Sequence, residues 1–196
     1  MVAYKAWVEH RQLVAVGAQV KQFDVFTASE TSNAPKDFAV EVGIESIEKI
    51  AGRPTGARFG TLVHTILRDA ALDADQATLA ALAAVHGRLL GATPEEIEHA
   101  KKAVAAALNH PLLASARQAT RVHREYPIML KLDESKVLVG VIDLAFESGG
   151  AWNIIDFKTD ADLASNRAHY KRQLHWYSLA ISRLNKKPVR AYLLSI

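Results

Sequence analysis

From Arg58 onward, apolar residues recur at helix spacing. Phe59, Leu62, Val63, Ile66 and Leu67 form one stripe, so the spacing predicts an amphipathic helix. Asp75 to Leu90 is rich in Ala and Leu and reads as a second helix, ended by Gly91. Thr93-Pro94-Glu95-Glu96 then gives a cap, a first-turn proline and acids at the positive end of the helix dipole. A third helix therefore runs to about Asn109. His110-Pro111 breaks it, and Leu112 to Gln118 reads as a short helix. The period changes at Arg121. Arg121–Lys131 reads as a strand, with Pro127 placing it at an edge or bulge. Val137–Phe146 and Trp152–Lys158 are strands around the turn Glu147-Ser148-Gly149-Gly150. Leu163–Leu184 is a long helix whose stripe is Tyr170, Leu174, Tyr177, Ile181 and Leu184. Lys186-Lys187-Pro188 closes it, before a last strand, Val189–Ile196.

Residues 1–57 are less legible. Leu13–Val16 suggests a short strand, and Thr27–Asp37 a polar loop or linker. We set residues 1–57 apart as an N-terminal extension or linker, and 58–196 as the main domain.

The chain has 196 residues, 49% hydrophobic and 23% charged, as expected for a globular protein. No run approaches the roughly 18 apolar residues of a membrane span. The charges at Lys5 and Glu9 break what would be a signal peptide's apolar stretch. The expectation is a cytoplasmic protein without a membrane partner. There is no cysteine, which excludes disulfides, thiolate zinc and cysteine-ligated iron–sulfur clusters. Any metal must sit among His, carboxylate, carbonyl and water ligands, a set that suits Mg²⁺ or Mn²⁺. The net charge of +3 permits a nucleic-acid partner without arguing for one.

Gly149-Gly150 is a favoured two-residue hairpin turn. With that turn, Asp143 and Asp156 oppose each other across the two strands, and Lys158 shares the face of Asp156. Ile142, Leu144, Phe146, Ile155 and Phe157 then form an apolar face on the other side. Two carboxylates opposed among apolar residues are costly unless one is protonated or a cation lies between them. A divalent ion with a lysine alongside suits phosphodiester hydrolysis. The ion makes a nucleophile from water and neutralises phosphate charge, and the lysine stabilises the charge that develops. Taken alone, Asp156-Phe157-Lys158 reads as a solvated strand face or a surface ion pair; the opposed Asp143, set between Ile142 and Leu144, changes that reading. His64 follows Gly60 by one turn and reads as a core histidine or, beside carboxylates, as an imidazole ligand. Gly60 lets that helix come close to the sheet. Gln173 and Tyr177 share one helix face, either as core and neighbour or as contacts to substrate. Lys171 and Arg172 make either a basic rim for a nucleic-acid backbone or a solvated helix face. Glu125 reads as a metal or lysine partner, or as an exposed acid paired with Arg124 or Arg121. Gly52-Arg53-Pro54-Thr55-Gly56 lacks the Gly-Lys-Ser/Thr ending of a phosphate loop.

Four short motifs occur in order: Gly60-Thr61-Leu62-Val63-His64, Gly140-Val141-Ile142-Asp143, Ile155-Asp156-Phe157-Lys158-Thr159-Asp160 and Gln173-Leu174-His175-Trp176-Tyr177. With Glu125-Tyr126-Pro127 on the preceding strand, this set resembles the RecB-like nucleases of the PD-(D/E)XK superfamily. Within them it is most similar to the carboxy-terminal nuclease domain of helicase–nuclease subunits of double-strand-break repair. The resemblance implies an α/β restriction-endonuclease-like core, a mixed central sheet flanked by helices, with an Ala-rich helical insertion between Arg68 and Thr120. It also implies Mg²⁺-dependent DNA cleavage, with Mn²⁺ as a possible substitute ion and exonuclease action favoured over endonuclease. His64, Asp143, Asp156 and the carbonyl of Phe157 would surround the metal, and Asp143, Asp156 and Lys158 would be catalytic. Glu125, Gln173, Tyr177, Arg172 and Lys171 would support the site or DNA, and helicase domains or a helicase–nuclease subunit would be the partner. The competing readings are a catalytically silent DNA-binding or scaffolding module and a Mg²⁺-dependent phosphoesterase acting on a small substrate.

Overall fold

A computed structural model describes residues 2–19, 23–36, 38–48, 52–159 and 163–196. Helix α1 (Val2–Gln19) is followed by strands β1 (Asp24–Thr27) and β2 (Val42–Ser46). Four helices come next: α2 (Ala57–Asp69), α3 (Gln76–Leu89), α4 (Pro94–Leu108) and α5 (Pro111–Arg117). Then follow β3 (Val122–Lys131), β4 (Lys136–Ser148), β5 (Ala151–Lys158), α6 (Leu163–Asn185) and β6 (Val189–Ser195).

The six strands form one mixed sheet in the order β1-β4-β5-β6-β2, with β3 paired to β4 alone. This is the expected α/β core, with two strands beyond the four core strands foreseen after Arg58. Both come from the segment that the sequence pattern set apart. Strand β1 pairs parallel to the start of β4, and β2 pairs parallel to β6. Each is short, so neither carries enough period-2 alternation to be read from sequence. The expected strand at Leu13–Val16 is a correction: it lies inside α1, where the side chains of Leu13 and Val14 are exposed. A four-residue apolar run cannot by itself tell helix from strand. Asp37, at the end of the expected loop, and Asp160, at the end of the third motif, lie outside the described residues.

One sheet face packs on α2–α5 through Leu144, Phe146, Ile155, Phe157 and Leu194. The other packs on α6 through Ile142, Ala145, Ile154 and Leu193 against Leu174, Tyr177 and Ile181. Leu184, expected on the buried stripe of α6, is exposed. The Ala-rich segment is the pair α3–α4. Ala83, Ala100, Ala103 and Ala107 are buried there, and small side chains allow close helix approach. At Gly87 a Cβ would stand 2.4 Å from Ile97. The capping box at Thr93 and Glu96 fixes the start of α4.

Candidate active site

The hairpin register is the expected one. Gly149 and Gly150 both have positive φ, 60° and 73°, which a two-residue primed turn requires. The ladder runs from Ser148–Ala151 to Leu144–Ile155 and stops there. Asp143 and Asp156 occupy the next step, where β4 and β5 part. On the same edge of β4, β1 pairs only Lys136–Val139. Residues 140–143 therefore line a fork between β1 and β5.

Strand β4 turns over at this fork. Leu138 and Ile142 face α6, yet so does Ala145, three residues on, while Leu144 faces α2. This corrects the expectation that Ile142 shares the face of Leu144 and Phe146. Strand β3 makes the same exchange. Tyr126 and Ile128 face α6, His123 stacks on Tyr126 and Trp152 on that side, and Val122 joins the α2 side. The hinge residues are Asp143 and Glu125. They interrupt the β3–β4 ladder at opposed positions, and Glu125 has φ 45°. A strand irregularity of this kind re-aims side chains, and here it turns two acids toward α2.

Asp143 Oδ2 accepts the Phe157 amide at 2.8 Å and lies 3.7 Å from His64 Nδ1. Burial, then the neighbouring charge of Asp156, pushes the Asp143 carboxyl well above the ordinary carboxylate range, although Phe157 and Lys158 pull the other way. Asp156 is buried, and its Oδ2 lies 2.7 Å from Lys158 Nζ. Beyond that ion pair, Asp156 Oδ2 is a buried acceptor with no further hydrogen-bond donor. Lys158 is also buried, which alone would lower its pKa. Asp156 and Asp143 outweigh that and raise it, so it is an ammonium at neutral pH. Its Nζ sits 4.5 Å from the centroid of the Tyr170 ring.

Helix α2 brings His64 in. At Gly60 a Cβ would stand 2.8 Å from Thr159 Oγ1, so the absent side chain is what allows α2 to touch the end of β5. Helix α6 brings Gln173, whose Nε2 donates to Tyr177 Oη at 3.0 Å. Tyr177 covers Gly140, and its phenol pKa is raised, mainly by burial. Glu125 joins His64 and Asp143 around a narrow recess, and its pKa is raised by burial, with Arg68 opposing. Neither of the partners expected for it holds it. Arg124 donates to the carbonyls of Arg68 and Ala70, and Arg121 to Glu147. Lys171 and Arg172 are half-buried on α6 but are not drawn into the carboxylate pair, since their helix positions point away from the face of Tyr170, Gln173 and Tyr177. The sequence pattern puts Tyr170 in the core stripe and gives no role to Thr159. Tyr170 precedes Gln173 by three and Tyr177 by seven, a spacing that signals their common face. A cleft of about 590 Å³ opens beside Lys158, lined by Gly56, Gly60, His64, Thr159 and Tyr170 among others.

The sequence model of the PD-(D/E)XK nuclease superfamily matches residues 33–196. The chain belongs to this superfamily. Its mixed sheet between helices is the fold of a PD-(D/E)XK nuclease. Three curated relatives are the A subunits of ATP-dependent helicase/nucleases. The one from Anoxybacillus flavithermus is 31% identical over 153 residues, 69% of this chain and 12% of that protein. The one from Desulforamulus reducens is 28% identical over 183 residues, 76% of this chain and 14% of that protein. The one from Clostridium kluyveri is 29% identical over 75 residues, 37% of this chain and 6% of that protein. This PD-(D/E)XK chain thus spans only about a tenth of the length of these relatives.

Nucleases of this superfamily generally use divalent metals, and the donors here fit such an ion. Two carboxylates meet at the fork, one of them carrying a buried acceptor with no hydrogen-bond donor beyond its ion pair with Lys158. Among the described residues no three His, Asp or Glu groups already stand at metal-holding spacing. The fit therefore rests on the chemistry of the donors. No helix among the described residues is long and apolar enough to cross a membrane.

Proposed function

We propose that the chain is a Mg²⁺-dependent deoxyribonuclease, for which Mn²⁺ can substitute, acting exonucleolytically on DNA within a helicase–nuclease of double-strand-break repair. The observation that carries this reading is the pairing of Asp143 with Asp156 beside an ammonium, Lys158, at the fork where β4 loses its ladder partner. His64, Asp143, Asp156 and the carbonyl of Phe157 would hold the ion. When bound, it would supply charge neutralisation at the phosphate and a lowered pKa for water.

The protein's own groups do the rest. Asp156 and Asp143 hold Lys158 as an ammonium, which suits it to donate to a phosphate oxygen as negative charge builds there. Asp156 and the face of Tyr170 hold that ammonium in place. The Phe157 amide fixes Asp143 Oδ2. Gln173 and Tyr177 close the α6 side, and Glu125 lines the recess on the α2 side. The cleft beside Lys158 and His64 gives the DNA backbone its approach. The names of the relatives favour a partner made of helicase domains, in the same chain or in another component of a helicase–nuclease.

Cleavage of end-labelled single- and double-stranded DNA with Mg²⁺ or Mn²⁺ tests this reading. The wild type should cut, and Asp156→Ala and Lys158→Ala should each lose activity by about 100-fold or more. A wild type that binds DNA yet never cuts would leave a binding module and sink the catalytic claim.

A further inference from the structure

The segment Gly52-Arg53-Pro54-Thr55-Gly56 lacks the ending of a nucleotide loop, yet it runs directly into α2 and past the ends of β5 and β6. Arg53 occupies that junction. One guanidinium nitrogen donates to the carbonyl of Ile196, just past β6, and another donates to the carbonyl of Thr159, just past β5, at 2.8 Å. The guanidinium carbon lies 5.5 Å from the ring centroid of Phe59, a buried residue in the first turn of α2. A single side chain thus joins three elements that meet at the site. Bonds from a charged donor are stronger than neutral ones.

The residues it ties are the ones on which the site geometry depends. Thr159 follows Lys158 directly. Its hydroxyl is wedged against Gly60, at 2.8 Å from where a Cβ would stand, and so sets how close α2 comes to the sheet. His64 is one turn further along α2, 3.7 Å from Asp143. The amide of Ile196 donates to the carbonyl of Lys158 itself at 2.8 Å, so β6 holds Lys158 from the other side. Arg53 closes this ring of contacts.

We infer that Arg53 is a positioning residue of the nuclease: by bridging the carbonyls of Thr159 and Ile196 under Phe59 it fixes Lys158 and His64 relative to the carboxylate pair. This rests on the nuclease reading above. The fork of the guanidinium is what the role needs. A lysine carries the charge but lacks the rigid planar fork that offers a separate nitrogen to each carbonyl.

The test compares wild type, Arg53→Ala and Arg53→Lys in two measurements. The first is steady-state DNA cleavage. Misplacement of reacting groups by about 1 Å costs up to about 100-fold. Arg53→Ala should therefore lower kcat by about 10- to 100-fold with KM for DNA within a few-fold of wild type, and Arg53→Lys should recover part of the loss. The second is hydrogen–deuterium exchange without DNA or metal. Exchange should quicken in peptides covering 57–61, 155–159 and 190–196, while α3 and α4 stay as protected as in wild type. Unchanged kcat, or exchange that quickens uniformly across the domain, would overturn the inference. If Arg53→Ala does not fold, Arg53→Lys carries both measurements. If the wild type does not cut, the nuclease reading fails. The exchange pattern then decides only whether Arg53 holds Thr159 and α2 in place, and a uniform change overturns that too.

Discussion

Adding one methyl group at Gly140 should damage both stability and cleavage. A Cβ built there stands 2.6 Å from Tyr177 Cε1 and 3.1 Å from its Oη. Ordinary contact begins near 3.4 Å, so the ring or the strand must yield by nearly 1 Å. The ring has little room: Tyr177 is 4% exposed, packs among Leu174, Ala180 and Ile181, and is tied to Gln173 at 3.0 Å. The strand is held by β3 on its other edge, where Gly140 faces Ile128. Overpacking of this kind costs about 1–3 kcal/mol. Since each kcal/mol shifts Tm by roughly 2–4 °C in a chain of this size, a loss of about 2 kcal/mol gives about 4–8 °C. Residual cleavage should fall about 10- to 100-fold, because β4 carries Asp143 three residues later. Urea unfolding and DNA cleavage of Gly140→Ala measure the two effects. A second comparison isolates the contact: in a Tyr177→Ala background the added methyl should cost almost nothing. If Gly140→Ala is within about 0.5 kcal/mol of wild type and cuts normally, or if the penalty persists without the Tyr177 ring, the packing account of the fork is wrong.

Asp143→Asn should keep an acceptor for the Phe157 amide while removing a carboxyl whose pKa the fold raises through burial and Asp156. In the metal-free wild type that raised value contributes stability that is fully present below the unfolded value of about 4. It is lost as pH rises through the folded value, by on the order of 1 kcal/mol per unit of displacement. Urea unfolding in a chelator should therefore show the variant gaining on wild type as pH rises from about 4 toward 8, and a difference flat in pH would count against the buried pair. Gly87→Ala places a methyl 2.4 Å from Ile97, far from the fork. Overpacking there is partly offset by the helix propensity of alanine, for a net loss of about 1 kcal/mol. Cleavage at low temperature should stay at the wild-type rate, and a large loss would mean that the α3–α4 pair takes part in the site.

Much of this arrangement is written in local sequence. The Gly149-Gly150 turn fixes the hairpin register, and from that register alone Asp143 falls opposite Asp156. The stripe from Phe59 to Leu67 places His64 on the exposed flank of a helix whose other side is core. Legibility stops where tertiary contacts override the pattern. A strict alternation puts Ile142 with Leu144. The structure separates them because β3 and β4 turn over together at Glu125 and Asp143, and a pairwise twist of this kind leaves no periodic mark on either strand. Strands β1 and β2 are 4 and 5 residues long and acquire their identity only from parallel partners more than 100 residues away. Arg53 is invisible to sequence for a similar reason: its acceptors are main-chain carbonyls, which have no sequence signature.

The turnover at the fork also accounts for how the protein tolerates its costliest feature. Had β4 continued flat, Asp143 would have faced either the apolar layer under α6 or the layer under α2, each lined by fully buried side chains. Instead the β4–β5 ladder stops one step before Asp143, where a backbone amide, Phe157 N, satisfies one oxygen of Asp143 and where His64 and Lys158 approach the carboxylates. The lost ladder bonds are the cost of turning a carboxylate out of a core strand toward a cleft. Domains at large keep buried like charges only where function demands them, and they are the groups whose removal tends to stabilise. A rise in metal-free stability for Asp143→Asn together with loss of cleavage would show both sides of that exchange in a single variant. A fall in stability would mean that the carboxylate is held by more than the amide of Phe157.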